Sequence, residues 1–537
     1  MAESWQRRPF LEKLQRIVLR VRYPVFDREF YVRAYPDVAG APVDPLVHYH
    51  RHGRLEGRRP NDISRANLKY LAGSVMLRLR HPTFDPKFYR EKYPDIARSG
   101  IDPIRHYHMH GRLEGRLRNT RSRASTSVFH KVDRKSFRTY GKQSNLDRRR
   151  ETVLVVIHEG TRTGAPIIAY NIVLGLLKKY NVVTLVLADG PVAAACHEAG
   201  AMVIASRIPC RDPELAEVAL EKICKQVQPR FAIVNSVISR FALPGLKSRK
   251  IPTISLFHEF ASYIRPRHAF IEALEMADET IFPAEMVRKN AWDVFPELEE
   301  HPFPILPQGL CVNPPRRATG AADVPDTETR DEVRVKMGLD GIDGDAFVIV
   351  AVAHFNFRKA PDLFVQCAAQ IARLRPDLRC HFVWVGGGYR PETDGLHSAF
   401  VEDQIARHGL EGKVHFSGEI QNMDAVYEAA DLMLLTSRLD PLPCVCMEAM
   451  FANVPLICFD KTTGIADLLV QNGLSEACVA KYLDVDDMAE KAVAILESPQ
   501  LYETVAKTAY EASKRSYDME SYVNEIEALA LQHAPAA

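Results

Sequence analysis

From residue 152 onward, short continuous apolar runs recur along the chain: Thr152–Ile157, Val182–Ala188, Val203–Ala205, Phe231–Val234, Thr253–Phe257, Ala346–Val352, Cys380–Val385 and Leu432–Leu435. Runs of this length bounded by turn residues predict strands buried on both faces. Between them lie amphipathic stretches with helical spacing, such as Ile167–Tyr180 and Pro213–Val227, and a last one at Met519–Leu531. Strand–helix–strand alternation predicts parallel sheets covered by helices. Pro314-Pro315 and the Thr/Gly/Asp-rich tract after it interrupt the alternation. Two α/β halves are therefore expected, at 151–315 and 331–537, joined by a linker at 316–330.

Before residue 117 the pattern changes. Phe26-Asp-Arg-Glu-Phe-Tyr31, leading to Tyr35-Pro-Asp37, recurs as Phe84-Asp-Pro-Lys-Phe-Tyr89, leading to Tyr93-Pro-Asp95. Asp44-Pro-Leu-Val-His48-Tyr-His50-Arg-His-Gly53 recurs as Asp102-Pro-Ile-Arg-His106-Tyr-His108-Met-His-Gly111, at the same offset of 58 residues. Residues 1–116 thus read as two copies of one mostly helical unit. Each copy opens on an apolar stripe: Phe10, Leu14, Ile17, Val18 and Val21 in the first, Leu68, Val75, Met76 and Leu79 in the second. Basic residues beside the first stripe would suit a membrane-surface helix, but its counterpart in the second copy argues for core-facing stripes. His48, His50, His52 and His106, His108, His110 lie at alternating spacing with no cysteine nearby, and they are expected to pack on a helix turn rather than bind metal.

Composition narrows the classes. With 537 residues, 46% hydrophobic and 26% charged, the chain can build several cores. A net charge of +2 leaves only local charge effects, of which residues 117–150, rich in Arg and Lys and ending in Arg148–Arg150, are the clearest. That segment is expected to be a basic linker attracting an anionic membrane surface by ~1 kcal/mol per charge. No stacking-aromatic array accompanies it, so nucleic acid is not an expected partner. Ten cysteines lie between Cys196 and Cys478 without a C-x-x-C pair, which fits a reducing compartment rather than a disulfide framework. No apolar run approaches the ~20 residues of a membrane span. The expected location is cytoplasmic, peripheral at the inner membrane at most.

The candidate chemistry sits between Leu432 and Phe459. Leu432–Leu435 is strand-like, Ser437–Pro443 is turn chemistry, and Cys444–Ala452 is helix-forming. Asp440 falls in the loop and Glu448 inside the helix, flanking the free N–H groups at Cys444 and Val445. Helix N–H groups hold phosphate and carboxylates accept from hydroxyls, so the arrangement suits a ligand carrying both.

Asp440-x7-Glu448, followed by Ala-Met and Val-Pro455, resembles the E-x7-E motif of retaining glycosyltransferases of family 4, with Asp for the first Glu. The resemblance covers roughly 152–530 and implies a GT-B fold, two Rossmann-like domains facing a cleft, with the last helix crossing back. It implies a nucleotide-sugar donor, no further cofactor, no metal, and a glycan or lipid-linked acceptor. Gly164 in Thr163-Gly-Ala parallels the family's glycine turn facing the donor, and His258 parallels the strand-end histidine beside the donor sugar. Lys359 matches a diphosphate-gripping lysine; His354 occupies the usual arginine position, and Arg358 is the candidate substitute. Ile420 falls in the loop whose backbone contacts the base. Cys444 and Val445 start the phosphate helix, Glu448 takes ribose hydroxyls, and Asp440 with His258 orients the donor sugar. The 58-residue repeats are similar to those beside bacterial surface-polysaccharide glycosyltransferases, and are expected to serve docking or homo-oligomerisation. Asp440, His354 and Asp467, the last in a loop paralleling "GGxxE", depart from the family pattern. They leave a non-catalytic GT-B scaffold as the rival reading.

Overall fold

The computed structural model describes parts of residues 19–108, chiefly 26–39, 43–53, 84–93 and 102–108, and residues 136–534 apart from 300, 316–327 and 343–344. The apolar stripes around Phe10–Val21 and Leu68–Leu79, most of the 117–150 segment and most of the 316–330 linker lie outside them. The chain divides into two compact units, residues 1–127 and 128–537.

In the first unit the two repeats use the same local physics. Asp27 and Asp85 cap the helices Arg28–Ala34 and Pro86–Lys92, accepting from the N–H groups of Phe30 and Phe88 at 3.0 Å. Asp44 and Asp102 cap the next helical turns in the same way. Tyr31 and Tyr89 are fully buried, edge-on to Tyr49 and Tyr107 and against Phe26 and Phe84. Their hydroxyls meet His48 Nδ1 at 3.3 Å and His106 Nδ1 at 3.0 Å. These histidines therefore satisfy buried tyrosines at the centre of a small aromatic core. Gly53 abuts the Tyr31 hydroxyl where any Cβ would collide, which explains the glycine after the histidine cluster.

The second unit holds two sheets among the described residues. The first has strands β1 (Phe137–Tyr140), β2 (Thr152–Ile157), β3 (Asn181–Val186), β4 (Met202–Ser206), β5 (Pro229–Asn235), β6 (Thr253–Leu256) and β7 (Glu279–Ile281), in the order β1-β4-β3-β2-β5-β6-β7. All pairs are parallel except β1 with β4. The second has β8 (Phe347–Val352), β9 (Cys380–Val385), β10 (Val414–Gly418), β11 (Leu432–Leu435), β12 (Leu456–Phe459) and β13 (Val479–Ala480), all parallel, in the order β10-β9-β8-β11-β12-β13. Burial of β2, β3, β8 and β11 on both faces accounts for their continuous apolar runs.

Strand β1 corrects the linker boundary. Residues 137–140 belong to the first sheet: Phe137 is buried, and Tyr140 donates to Asp189 at 3.1 Å. The strand is a four-residue antiparallel edge in which only Phe137 is buried, so a basic composition conceals it. The last helix packs where the GT-B expectation puts it. Met519–His533 places Tyr522, Val523, Ile526 and Ala530 in the apolar core of the first sheet with Ile168 and Val173. Tyr180 and Lys179 of the first half clasp Glu527, at 2.7 and 2.6 Å. No helix of the described residues is long and apolar enough to cross a membrane.

Candidate active site

The C-terminal ends of both sheets face one cleft of about 1710 Å³ within the second unit. It is lined by all nine residues singled out from the sequence: Gly164, His258, Arg358, Lys359, Ile420, Asp440, Cys444, Val445 and Glu448. Ligands in open α/β sheets sit at such strand ends.

From the second half, three loops converge. The loop after β8 carries Arg358 and Lys359, leading into helix α1 (Pro361–Leu374). The loop after β11 carries Asp440 and leads into helix α2 (Cys444–Phe451), whose N-terminus no side chain caps. The loop after β10 carries Ile420. The glycine turn after β9 is required: a Cβ on Gly386, at φ +143°, would meet the Ala353 carbonyl. This turn holds the loop bearing His354, and Phe355 N–H donates to the Gly387 carbonyl at 2.8 Å.

Asp440 does not stand free. It is 6% exposed, pairs with Lys359 Nζ through Oδ2, and receives Arg358 Nη1 on Oδ1 at 3.3 Å. Ser437 Oγ lies 3.3 Å from Oδ2, and the Asp440 N–H donates to Thr462 carbonyl at 2.7 Å. Burial pushes this carboxyl up, but Lys359 and Arg358 outweigh it and leave Asp440 below the ordinary carboxylate range. The two cations and the first carboxylate are thus one cluster in the cleft. Arg358 also donates to the Leu439 carbonyl at 2.7 Å, which aims its guanidinium along the loop.

Glu448 has the opposite environment. Burial raises its carboxyl above the ordinary range, opposed by a 2.9 Å hydrogen bond from the Tyr427 hydroxyl. Tyr427 also reaches the Val445 carbonyl at 3.1 Å, locking the helix turn on which Glu448 sits. Cys311 Sγ donates to the Gly309 carbonyl at 3.6 Å, and the neighbouring Cys444 together with burial pushes its thiol well up. Gln308, between the halves, donates to the Leu442 carbonyl at 2.6 Å and ties the hinge to the carboxylate loop.

From the first half, Gly164 starts helix Gly164–Leu177, and a Cβ there would meet open space, so its exposure to the cleft is real. His258 follows β6, with Nε2 2.8 Å from Asn235 Oδ1. Burial and the neighbouring His158 push its ring down to about 4, so it is neutral near pH 7. Glu259 is raised by burial and held by Ser236 Oγ and by the N–H groups of Val237 and His258, at 3.3 and 3.1 Å.

Several participants were not singled out from the sequence. Tyr427, Asn235, Glu259 and Gln308 act through contacts between residues far apart in the chain, and only the pairing of Glu259 with His258 was visible locally. Arg138 and Tyr140 of β1, with Asp189 from the loop after β3, line the first-half end of the cleft. Asp467 lies apart from the cleft lining, against Met286 of the first half.

Residues 337–512 match the model of the family described as glycosyl transferases group 1. Among curated relatives, the chain is 30% identical over 131 residues to the mannosylfructose-phosphate synthase of Agrobacterium fabrum, covering 24% of this chain and 28% of that protein. It is 27% identical over 198 residues to the alpha-D-kanosaminyltransferase of Streptomyces kanamyceticus, covering 36% and 47%. The chain spans at most about half the length of these curated relatives. Among solved structures, Anabaena HepE in complex with UDP and glucose superposes with a TM-score of 0.56 at 15% identity, over 71% of this chain and 100% of that one. Sucrose-phosphate synthase from Thermosynechococcus elongatus gives 0.53 at 16%, over 71% and 99%. The second unit has the GT-B glycosyltransferase fold, and its residues 337–512 match the glycosyl transferases group 1 family.

Proposed function

We propose that the protein is a retaining glycosyltransferase of the family 4 type that moves a sugar from a nucleotide-sugar donor to a glycan or lipid-linked acceptor, in bacterial surface polysaccharide or glycoconjugate synthesis. The observation that carries this reading is the convergence of Arg358, Lys359, Asp440 and Glu448 on the uncapped start of α2. Glu448 accepts from ribose hydroxyls, and the N–H groups of Cys444 and Val445 take the diphosphate with Lys359 and Arg358. The backbone at Ile420 contacts the base. The bond from the anomeric carbon to the phosphate oxygen breaks, and the acceptor oxygen bonds the same face of that carbon. The acceptor's proton passes to the departing phosphate, whose charge the two cations and the helix start stabilise. Asp440 and neutral His258 orient the donor sugar. In this reading the cations do the work of a metal, so activity survives chelation. The bound relatives fit it: HepE was solved with UDP and glucose.

The Asp440–Lys359 pair also favours one alternative, a scaffold whose donor site is closed by its own ion pairs. A panel of nucleotide-sugars separates the two. The expected result is binding by calorimetry with one donor and acceptor-dependent release of its nucleoside diphosphate. Binding without turnover across donors and acceptors would favour the scaffold. The repeats of residues 1–116 we read as a docking or oligomerisation module, and the setting as cytoplasmic, with the basic segment near an anionic leaflet.

A further inference from the structure

His258 has two ring nitrogens, and which one faces a ligand decides what the ring can do. Asn235, the last residue of β5, is fully buried between two groups that settle the question. Its Nδ2 lies 2.8 Å from the Ala165 carbonyl oxygen, and its Oδ1 lies 2.8 Å from His258 Nε2. A backbone carbonyl only accepts, so the amide must turn its NH2 toward Ala165 and its oxygen toward the ring. That oxygen also only accepts, so Nε2 must carry hydrogen. A neutral ring holds one such hydrogen, and Nδ1 is left as an acceptor. Nδ1 makes no hydrogen bond with the described residues, and the ring lines the cleft.

We propose that Asn235 is a positioning residue that locks His258 in the Nε2–H tautomer, so that Nδ1 presents a lone pair to a hydroxyl group of the ligand in the cleft. The hydroxyl-bearing ligand rests on the glycosyl-transfer reading above; the tautomer does not. The lock is also anchored to the ligand site. Ala165 follows Gly164 in the first turn of the helix that opens on the cleft, so the carbonyl holding Asn235 belongs to the loop meeting the ligand. The histidine is thereby set by the glycine loop through a buried amide, and the two move as one piece. A hydroxyl can donate to this ring; a ligand group that only accepts cannot use it.

The test is long-range proton–nitrogen NMR on full-length protein carrying nitrogen-15 histidine, with the His258 signal assigned by its loss in His258→Gln. The expected result is a protonated Nε2 and an unprotonated Nδ1. Asn235→Ala should lose that preference and lower turnover about 10-fold or more, the usual cost of removing an orienting partner, while nucleoside-diphosphate affinity stays unchanged. A wild-type proton on Nδ1 overturns the proposal, as does an unchanged tautomer in a folded Asn235→Ala. A merely structural Asn235 would lower the melting temperature and leave the tautomer alone. If Asn235→Ala does not fold, the wild-type spectrum still decides. If the tautomer is as expected but no donor is turned over, the failure lies in the glycosyl-transfer reading.

Discussion

Asp440→Asn should separate the structural from the catalytic role of the first carboxylate. This side chain is the counter-charge for Lys359 and Arg358, with side-chain exposures of 8%, 14% and 38%. Removing one member of a buried pair costs about 3–5 kcal/mol because the other charge is left uncompensated. The Arg358 contact is largely solvent-screened and adds only about 0–1 kcal/mol. Asn keeps a polar group for Ser437, so the lower end, about 3 kcal/mol, is expected. For a transition of the second half's size that is a fall of about 6–12 °C in melting temperature. A diphosphate supplies the missing negative charge, so UDP or inorganic pyrophosphate should stabilise the variant more than the wild type, while transfer is lost. The pH dependence has a defined sign. Asp440 is held below the ordinary carboxylate range, so its contribution is present above that range and lost as pH falls through its folded value. Wild type and variant should therefore converge in acid. Differential scanning fluorimetry with and without ligand, from neutral pH into acid, measures all of this. A melting temperature equal to wild type, or equal ligand stabilisation of both proteins, would refute the reasoning.

Glu448→Ala should weaken donor binding by about 1.5–3 kcal/mol, the worth of a hydrogen bond to a charged group, as read by calorimetry, with the melting curve little changed. His258 titrates near 4 in the fold and near 6.5 when unfolded, so its neutral burial contributes up to ~3 kcal/mol above pH 6.5 that is lost as pH falls toward 4. Urea denaturation of His258→Gln should accordingly show a shallower loss of stability over that interval. Removing residues 1–127 should leave the cleft-bearing unit folded with donor affinity intact. Extending the cut to residue 150 deletes β1 and the buried Phe137, and should lower stability by about 1.5–3 kcal/mol in thermal melts.

What could be read from the residues was whatever is carried by local pattern. The strands buried on both faces announce themselves because every position is apolar, and the Asp440-to-Glu448 interval because strand, loop and helix are contiguous. Cleft residues from distant segments came with the family resemblance, and the structure places all nine on one surface. The partners of those residues were not legible. Tyr427 reaches Glu448 from another helix, Asn235 reaches His258 from a neighbouring strand, and Lys359 reaches Asp440 across two loops. None of these leaves a periodic trace, since each depends on which strand ends lie side by side. Strand β1 was hidden for a different reason: it is a four-residue edge, and Phe137 and Tyr140 are its only apolar residues in a basic stretch.

The helix Met519–His533 bears on how the protein is made. Its apolar face completes a core whose strands were synthesised some three hundred residues earlier. During translation the first half therefore leaves the ribosome with the seat for Tyr522, Val523 and Ile526 uncovered, and stays so while the entire second half is threaded out. The second half can finish its own core before that helix arrives; the first cannot. That apolar seat is closed only after the last helix emerges, and nascent chains stalled before residue 519 should present a sticky surface on the first half that chaperones can hold.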